Sequence, residues 1–347
     1  MGSPVIPKAR IGQTGVEITR IGFGGAPIGD IRKTPTAAEA DALLQAAWDA
    51  GIRYFDTAPF YGSGLSERRS GDFLRGKPRD SFVLSTKAGR LLVPERDWAV
   101  ARYQSEAVLP FRPVFDFSYG GIMKSFEHSL QRLGLERIDI LLLHDIGRFS
   151  QGQNHDHALG QALDGGGIRA LEELRQTGKV RAIGAGVNEW QIIDELMNHA
   201  HFDVFLLANR YTLLDQAVID HLFPRIEREG TAIVIGAALN SGILLTGAVP
   251  GAQYDYAPAA EAILEKTRRI EEICRRHGVP LLRAALNFPL AHPAVTALLP
   301  GPSQVRELTE NLGHLRAHIP PAFWTELRDA GLIHPAAPLP ASPSIPH

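Results

Sequence analysis

The sequence predicts a single α/β domain of the (β/α)8 type, a TIM barrel. Three observations predict it. Short apolar, β-branched runs alternate with helical patterns about eight times along the chain, as expected of parallel strands covered on both faces. A length of 347 residues suits one large barrel. The early glycine cluster Gly22-Phe23-Gly24-Gly25-Ala26-Pro27-Ile28-Gly29 does not open a helix, because Pro27 argues against one starting there. The dinucleotide fingerprint of a doubly wound sheet is therefore missing.

The candidate strands, in order, are Ile18–Phe23, Arg53–Thr57, Phe82–Thr86, Ile138–Leu143, Ala182–Gly186, Val204–Leu207, Ala232–Ile235 and Val295–Leu299. Each is short and nearly all apolar. Between them lie helical periods. Thr36–Ala50 opens on a Thr with Glu39 three residues on, a capping-box pattern, and ends before Gly51. Gly120–Leu133, Gly167–Gln176, Glu189–His199, Gln216–Glu229 and Ala259–His277 read the same way. Three stretches exceed ordinary loop length: Arg90–Tyr119, Asp145–Gly166 and Ala248–Pro258. All follow strands, which places them on the C-terminal face of a barrel. The barrel domain spans residues 1–334. The Pro- and Ser-rich tail Pro335–His347 is expected to be poorly ordered.

Composition excludes several classes. The 36 Lys and Arg against 38 Asp and Glu, net charge −2, leave no basic footprint for nucleic acid. The single cysteine, Cys274, forbids an intrachain disulfide and fits a reducing compartment. The start MGSPVIPKARIG has no apolar signal core. Gly2 is followed by Ile6 where a myristoylation motif needs Ser or Thr. No run reaches the ~18 apolar residues of a membrane span. The expectation is a cytoplasmic protein with neither membrane nor nucleic-acid partner. Its oligomeric state is not encoded in any pattern.

Polar residues stand where strands end. Asp56 closes Tyr54-Phe55, Lys87 follows Phe82–Thr86, and His144 follows Ile140–Leu143. Tyr61 lies five residues beyond Asp56, in a Pro- and Gly-bounded loop. Singly, each has a bland reading: a turn or helix cap for Asp, a solvated surface group for Lys, a hydrogen-bonded structural residue for His. In a barrel, however, strand ends converge on one mouth. A Lys ammonium held by Asp56 lowers the pKa of a neighbouring phenol. Tyr61 can then exchange a proton with a substrate oxygen that His144 orients. Such a set suits hydride transfer.

These residues carry a resemblance. The stretch Gly51–Ala58 with Tyr61, Glu67 and Gly71, the block Ser85-Thr86-Lys87, the run Ile138–His144, the segment Ala182–Asn188 and the segment Pro300–Asn311 resemble, in order, the motifs of the aldo-keto reductase superfamily. The resemblance spans about residues 10 to 330. It implies a (β/α)8 barrel and NAD(P)-dependent oxidoreduction. It also implies Tyr61 as general acid/base, Lys87 and Asp56 as its tuners, and His144 as the orienter of substrate oxygen. For the cofactor it implies Asn188 at the nicotinamide amide, Leu239 and Ser241 at the pyrophosphate, Gly301, Ser303, Glu307 and Asn311 at the adenosine end, and Gly24 within the same set.

Four positions depart from the commoner family pattern. Ala208 replaces a Gln beside the amide, and Gly236 replaces a stacking aromatic. Gly301 and Glu307 stand where NADP users often carry Lys and Arg. A Glu repels a 2′-phosphate and accepts from ribose hydroxyls, so NAD is the preferred cofactor and NADP the alternative. Arg306, one residue away, is the competing contact.

The stretches Gly22–Gly29, His144–Arg148 and Gly184–Trp190 resemble a branch containing aldose 1-dehydrogenases, acting on L-fucose, D-threo-aldoses or galactose-like sugars, and pyridoxal 4-dehydrogenase. Sugar oxidation to the lactone is preferred here and pyridoxal oxidation is the runner-up. A cofactor-binding regulatory subunit without turnover is the reading from another class. Asp145, Arg148, Asn240 and His155-Asp156-His157 are candidates for a polar pocket edge. His155 and His157 share a side only in an extended segment, which disfavours a metal site. Trp98, Tyr103, Phe111, Phe115, Phe117 and Tyr119 either line a pocket or pack a long loop on the rim.

Overall fold

The computed structural model describes residues 6–29, 35–103, 109–341 and 343–345. Gly2 therefore lies outside the described residues. The apolar runs form eight parallel strands: β1 Phe23–Gly24, β2 Tyr54–Asp56, β3 Val83–Ala88, β4 Ile140–His144, β5 Ala182–Val187, β6 Val204–Ala208, β7 Ala232–Gly236 and β8 Val295–Leu299. Each pairs with its sequence neighbour. A parallel bridge between Ile21 and Leu298, with Gly22 N–H donating to Leu298 O at 2.9 Å, brings β8 back to β1. The barrel expected from the sequence is thus formed.

Alternation on each strand sorts the core into two layers. Tyr54, Val83, Ile140, Leu142, Val204 and Val234 fill the barrel interior. A larger shell lies between strands and helices. The first strand differs from expectation. Glu17–Thr19 pairs antiparallel with Lys8–Arg10, and this hairpin inserts Ile11, Val16 and Ile18 into the interior cluster. It seals the N-terminal end, so the barrel opens at the other end, where the loops that follow the strands lie.

Helix Ala37–Asp49 shows how the shell is made. Thr36 Oγ1 accepts Glu39 N–H at 3.2 Å, and Glu39 Oε2 accepts Thr36 N–H at 2.8 Å. The helix buries Ala40, Leu43, Leu44 and Ala47, and each buried Leu contributes about 2 kcal/mol. Helix Leu65–Leu74 has no counterpart among the sequence expectations. Its Gly71 sits so close to the next helix that a Cβ would lie 1.9 Å from Leu133 O. Its Glu67, fully buried, accepts from Thr86 Oγ1 at 2.8 Å and from Arg132 Nε at 2.5 Å. The family-like Glu67 and Gly71 are thus a packing joint behind β3.

The three long stretches carry structure. In 90–119, strands Arg90–Pro94 and Phe111–Phe115 pair antiparallel, with helix Arg96–Tyr103 between them. In 145–166, Arg148–Gln151 and His155–Leu163 are helical. In 248–258, Gln253–Tyr254 pairs with Ala257–Pro258. The expected helix Gln216–Glu229 breaks into Val218–His221 and Phe223–Glu229, with Pro224 in the first turn of the second piece. The tail departs from the expectation of poor order: Ile345 is buried, and Ser344 Oγ donates to Asn287 Oδ1 at 2.6 Å. Ile345, with Ala337 and Leu339, supplies the anchor. Among the described residues, no helix is long and apolar enough to cross a membrane.

Candidate active site

Three adjacent strands deliver the expected residues to one mouth. Asp56 ends β2, Lys87 lies one residue from the end of β3, and His144 ends β4. Lys87 Nζ donates to Asp56 Oδ2 at 2.7 Å and to Thr57 O at 2.9 Å; both charged side chains are almost fully buried. Ser85 Oγ donates to the other Asp56 oxygen at 2.6 Å. The loop after β2 returns Tyr61 over this pair, with Lys87 Nζ 5.0 Å from the centre of its ring. The loop is held by close backbone packing. Gly62 has φ +62°, and a Cβ there would lie 1.6 Å from Gly29 O. The early glycine cluster therefore seats the Tyr61 loop. The rings of Tyr61 and His144 meet edge to face, centroids 5.9 Å apart.

The electrostatics refine the sequence expectation. Burial pushes the Tyr61 phenol up to about 12, and the nearby Lys87 only partly offsets this. Tyr61 therefore keeps its proton over the neutral range. Burial opposes the Lys87 ammonium, but Asp56 and Tyr61 outweigh it and the pKa is raised. Burial, then Arg90 and Lys87, hold the His144 pKa well below the usual imidazole value. His144 is neutral at physiological pH.

A pH prediction arises here. Above about pH 6.5 His144 is neutral folded or unfolded. Below it the unfolded chain binds a proton that the folded chain refuses, so stability is lost as pH falls towards the folded value. The loss is at most ~1.4 kcal/mol per pH unit. His144→Gln is expected to flatten the fall in urea midpoint between pH 7.5 and 5. Parallel slopes in the two proteins would contradict a buried neutral imidazole.

Beside this group lies a second polar set. Arg90 donates to Asp145 Oδ2. Asp145 Oδ1 accepts Asn188 Nδ2 at 3.1 Å. Asn188 Oδ1 accepts Asn209 Nδ2 at 3.2 Å and the Tyr256 hydroxyl at 3.2 Å. Among the described residues, Asn209 Oδ1 and Asn240 Oδ1 are buried without partners, acceptors that suit a carboxamide or hydroxyl donor. Asn209 addresses the departure at Ala208: it is itself left-handed, with φ +59°, and its own Nδ2 reaches Asn188. Gly236 ends β7 on the mouth side.

The remaining cofactor candidates line the rim. Gly24 N–H donates to Pro300 O at 2.8 Å, and Gly301 packs on Pro27. Leu239 and Ser241 follow β7, and Ser241 Oγ accepts Tyr256 N–H at 2.9 Å. Glu307, in the first turn of helix Val305–Arg316, accepts Ser303 N–H at 2.7 Å and Ser303 Oγ–H at 2.9 Å. Asn311 lies half-buried on the same helix. Arg306 is exposed and faces Glu310 at 3.9 Å. The amide donors and acceptors near Asn188 and the helix N-terminus beyond Ser303 fit the two ends of a dinucleotide.

Arg148 is exposed and pairs with Asp156 at 2.7 Å. His155 is buried with Nδ1 3.1 Å from Ile146 O, while His157 is exposed. Both His are helical, so a spacing of two parts them. Phe117 is core, whereas Phe115 lies against Arg90. Sequence reasoning missed Arg90, Asn209 and Tyr256. Arg90 had a signal, since it stands three residues beyond Lys87, just past the mouth end of β3. Tyr256 reaches Asn188 only through the fold of its ribbon.

A model of the aldo/keto reductase family matches residues 20–331. The chain belongs to this family. It is 44% identical to a pyridoxal 4-dehydrogenase from Microbacterium luteolum, covering 94% of this chain and 98% of that protein. It is 40% identical to a D-threo-aldose 1-dehydrogenase from Pseudomonas sp, covering 92% and 96%. The fold is similar to the holo form of an aldo-keto reductase from Bacillus halodurans, with TM-score 0.73 and 22% identity over 96% of this chain and 98% of that one.

Proposed function

We propose that this aldo-keto reductase oxidises the carbinol carbon of a cyclic hemiacetal to a lactone, with NAD preferred over NADP. The observation that carries the reading is the convergence of Asp56, Tyr61, Lys87 and His144 on one mouth. Bound at this mouth, the nicotinamide cofactor supplies the hydride acceptor. The substrate hydroxyl gives its proton to Tyr61 in its phenolate form, while the hydride leaves the same carbon and the C–O bond becomes a carbonyl. Lys87 stabilises the phenolate, and Asp56 keeps Lys87 in place. Neutral His144 holds the substrate oxygen by a hydrogen bond and adds no competing charge.

Two substrates share this chemistry. An aldose such as L-fucose, D-arabinose or a galactose-like sugar presents its anomeric hydroxyl. Pyridoxal presents its internal hemiacetal, and the 44% identity to a pyridoxal 4-dehydrogenase favours this second reading. The test follows reduced-cofactor absorbance with NAD, then NADP, on L-fucose, D-arabinose, D-galactose and pyridoxal. Lactone formation from any of them supports the reading. Cofactor binding without turnover on all four defeats it and favours a regulatory subunit.

The cofactor preference is tested at Glu307. Its carboxylate at the helix start opposes a phosphate by about 1 kcal/mol or more, depending on solvent screening. Glu307→Gln is expected to lower the NAD/NADP ratio of kcat/KM about tenfold, chiefly through a lower KM for NADP. A wild-type preference for NADP would overturn the assignment.

A further inference from the structure

Arg90 opens the strand Arg90–Pro94, two residues beyond the mouth end of β3, and only 8% of it is accessible. Its guanidinium carbon lies 4.1 Å from the centre of the Phe60 ring and 4.4 Å from that of Phe115. Such stacking uses the flat faces of the group and leaves its N–H edge for hydrogen bonds. One terminal nitrogen on that edge donates to Asp145. Nε is enclosed and, among the described residues, has no partner. Phe60 packs edge-on against His144, centroids 6.1 Å apart, so the guanidinium is one ring away from the proposed reaction centre.

This placement is costly for the fold alone. Removing a guanidinium from water is unfavourable unless its hydrogen bonds are well met, and an apolar residue of similar size is often as stable. Asp145 meets part of the need. That carboxylate is fixed in turn, with its backbone at φ +56° and its other oxygen on Asn188. Arg90 is therefore a pre-positioned cation whose edge is incompletely used. The pocket holds two opposed charge pairs, Lys87 with Asp56 and Arg90 with Asp145, so it carries no net charge that would repel an anion.

We propose that Arg90 determines substrate specificity by binding a negatively charged oxygen on the atom next to the one that bears the reacting carbon. The proposal rests on the hemiacetal reading above and narrows it. A 3-hydroxypyridine hemiacetal, such as that of pyridoxal, carries such an oxygen as a phenolate on the neighbouring ring carbon. A neutral aldose carries only hydroxyls. Asp145 is then a positioning residue, holding the guanidinium from one side.

The test uses the full chain with saturating NAD and compares kcat/KM for pyridoxal with that for its 3-deoxy analogue, which keeps the ring and the hemiacetal but lacks the phenolate. The wild type is expected to prefer pyridoxal about ten- to a hundredfold, the range for a hydrogen bond to a charged group. Arg90→Gln is expected to bring pyridoxal down to the level of the analogue while leaving the analogue within about threefold, and Arg90→Lys to restore part of the preference. A merely structural Arg90 lowers both substrates alike. If Arg90→Gln does not fold, the wild-type ratio and the Lys variant decide. Pyridoxal turnover with a wild-type ratio near one, or a ratio unchanged by Arg90→Gln, overturns the proposal and leaves lactone formation standing. Turnover of sugars with none of pyridoxal overturns the proposal together with the pyridoxal reading.

Discussion

Tyr61→Phe is expected to lower turnover about 10²- to 10⁴-fold, the usual contribution of a positioned proton donor. The change removes one oxygen from a side chain that the surrounding packing otherwise keeps. Lys87 retains Asp56 at 2.7 Å and Thr57 O at 2.9 Å, so the charged pair beneath the ring survives. Cofactor binding, followed by protein fluorescence, should stay within a few-fold of wild type. The pH profile separates chemistry from damage. With the phenol at about 12, the phenolate fraction grows tenfold per pH unit across the neutral and alkaline range. Wild-type oxidation should therefore rise with pH until another step limits it. The residual activity of the Phe variant should not follow that slope. A variant keeping a tenth or more of wild-type turnover would remove Tyr61 from the proton-transfer role.

Much of this arrangement was readable from the sequence because barrel physics makes position informative. An apolar run of parallel-strand type has a defined mouth end, and a polar residue there has few places to go. Asp56, Lys87 and His144 were legible for that reason, and their strands are adjacent in the barrel. Tyr61 was legible through its distance from Asp56, but its titration was not. Sequence shows the neighbouring ammonium, whereas burial, which outweighs it, needs coordinates. The first strand was misplaced because the β-branched run Ile18–Phe23 joins the end of the strand Glu17–Thr19 to the start of Phe23–Gly24 with no turn signal between them. Only tertiary pairing divides it into plug and barrel. Asn209 was hidden by a left-handed turn, which moves the amide from the expected Ala208 to the next residue. Tyr256 was hidden because contact across 68 residues leaves no periodic trace.

Lys87→Met is expected to cost both stability and activity, and the two losses can be separated. Lys87 and Asp56 are each about 2% exposed and bond directly. Removing the cation leaves a buried carboxylate whose remaining side-chain partner is Ser85 Oγ at 2.6 Å, and Thr57 O loses its donor. Breaking a buried pair from one side costs about 3–5 kcal/mol. Replacing both charges is cheaper, because nothing ionised stays behind. The double variant Lys87→Met with Asp56→Asn should therefore recover at least half of the lost stability in urea unfolding. It should not recover turnover, because the ammonium is the contact that holds the Tyr61 phenol down against burial and Asp56. Without it, phenolate becomes rarer at every working pH. If the double variant is as unstable as the single one, the pair is not the coupled unit its geometry describes. If the double variant regains turnover with stability, Lys87 acts on the fold alone, and the tuning of Tyr61 must come from elsewhere in the mouth.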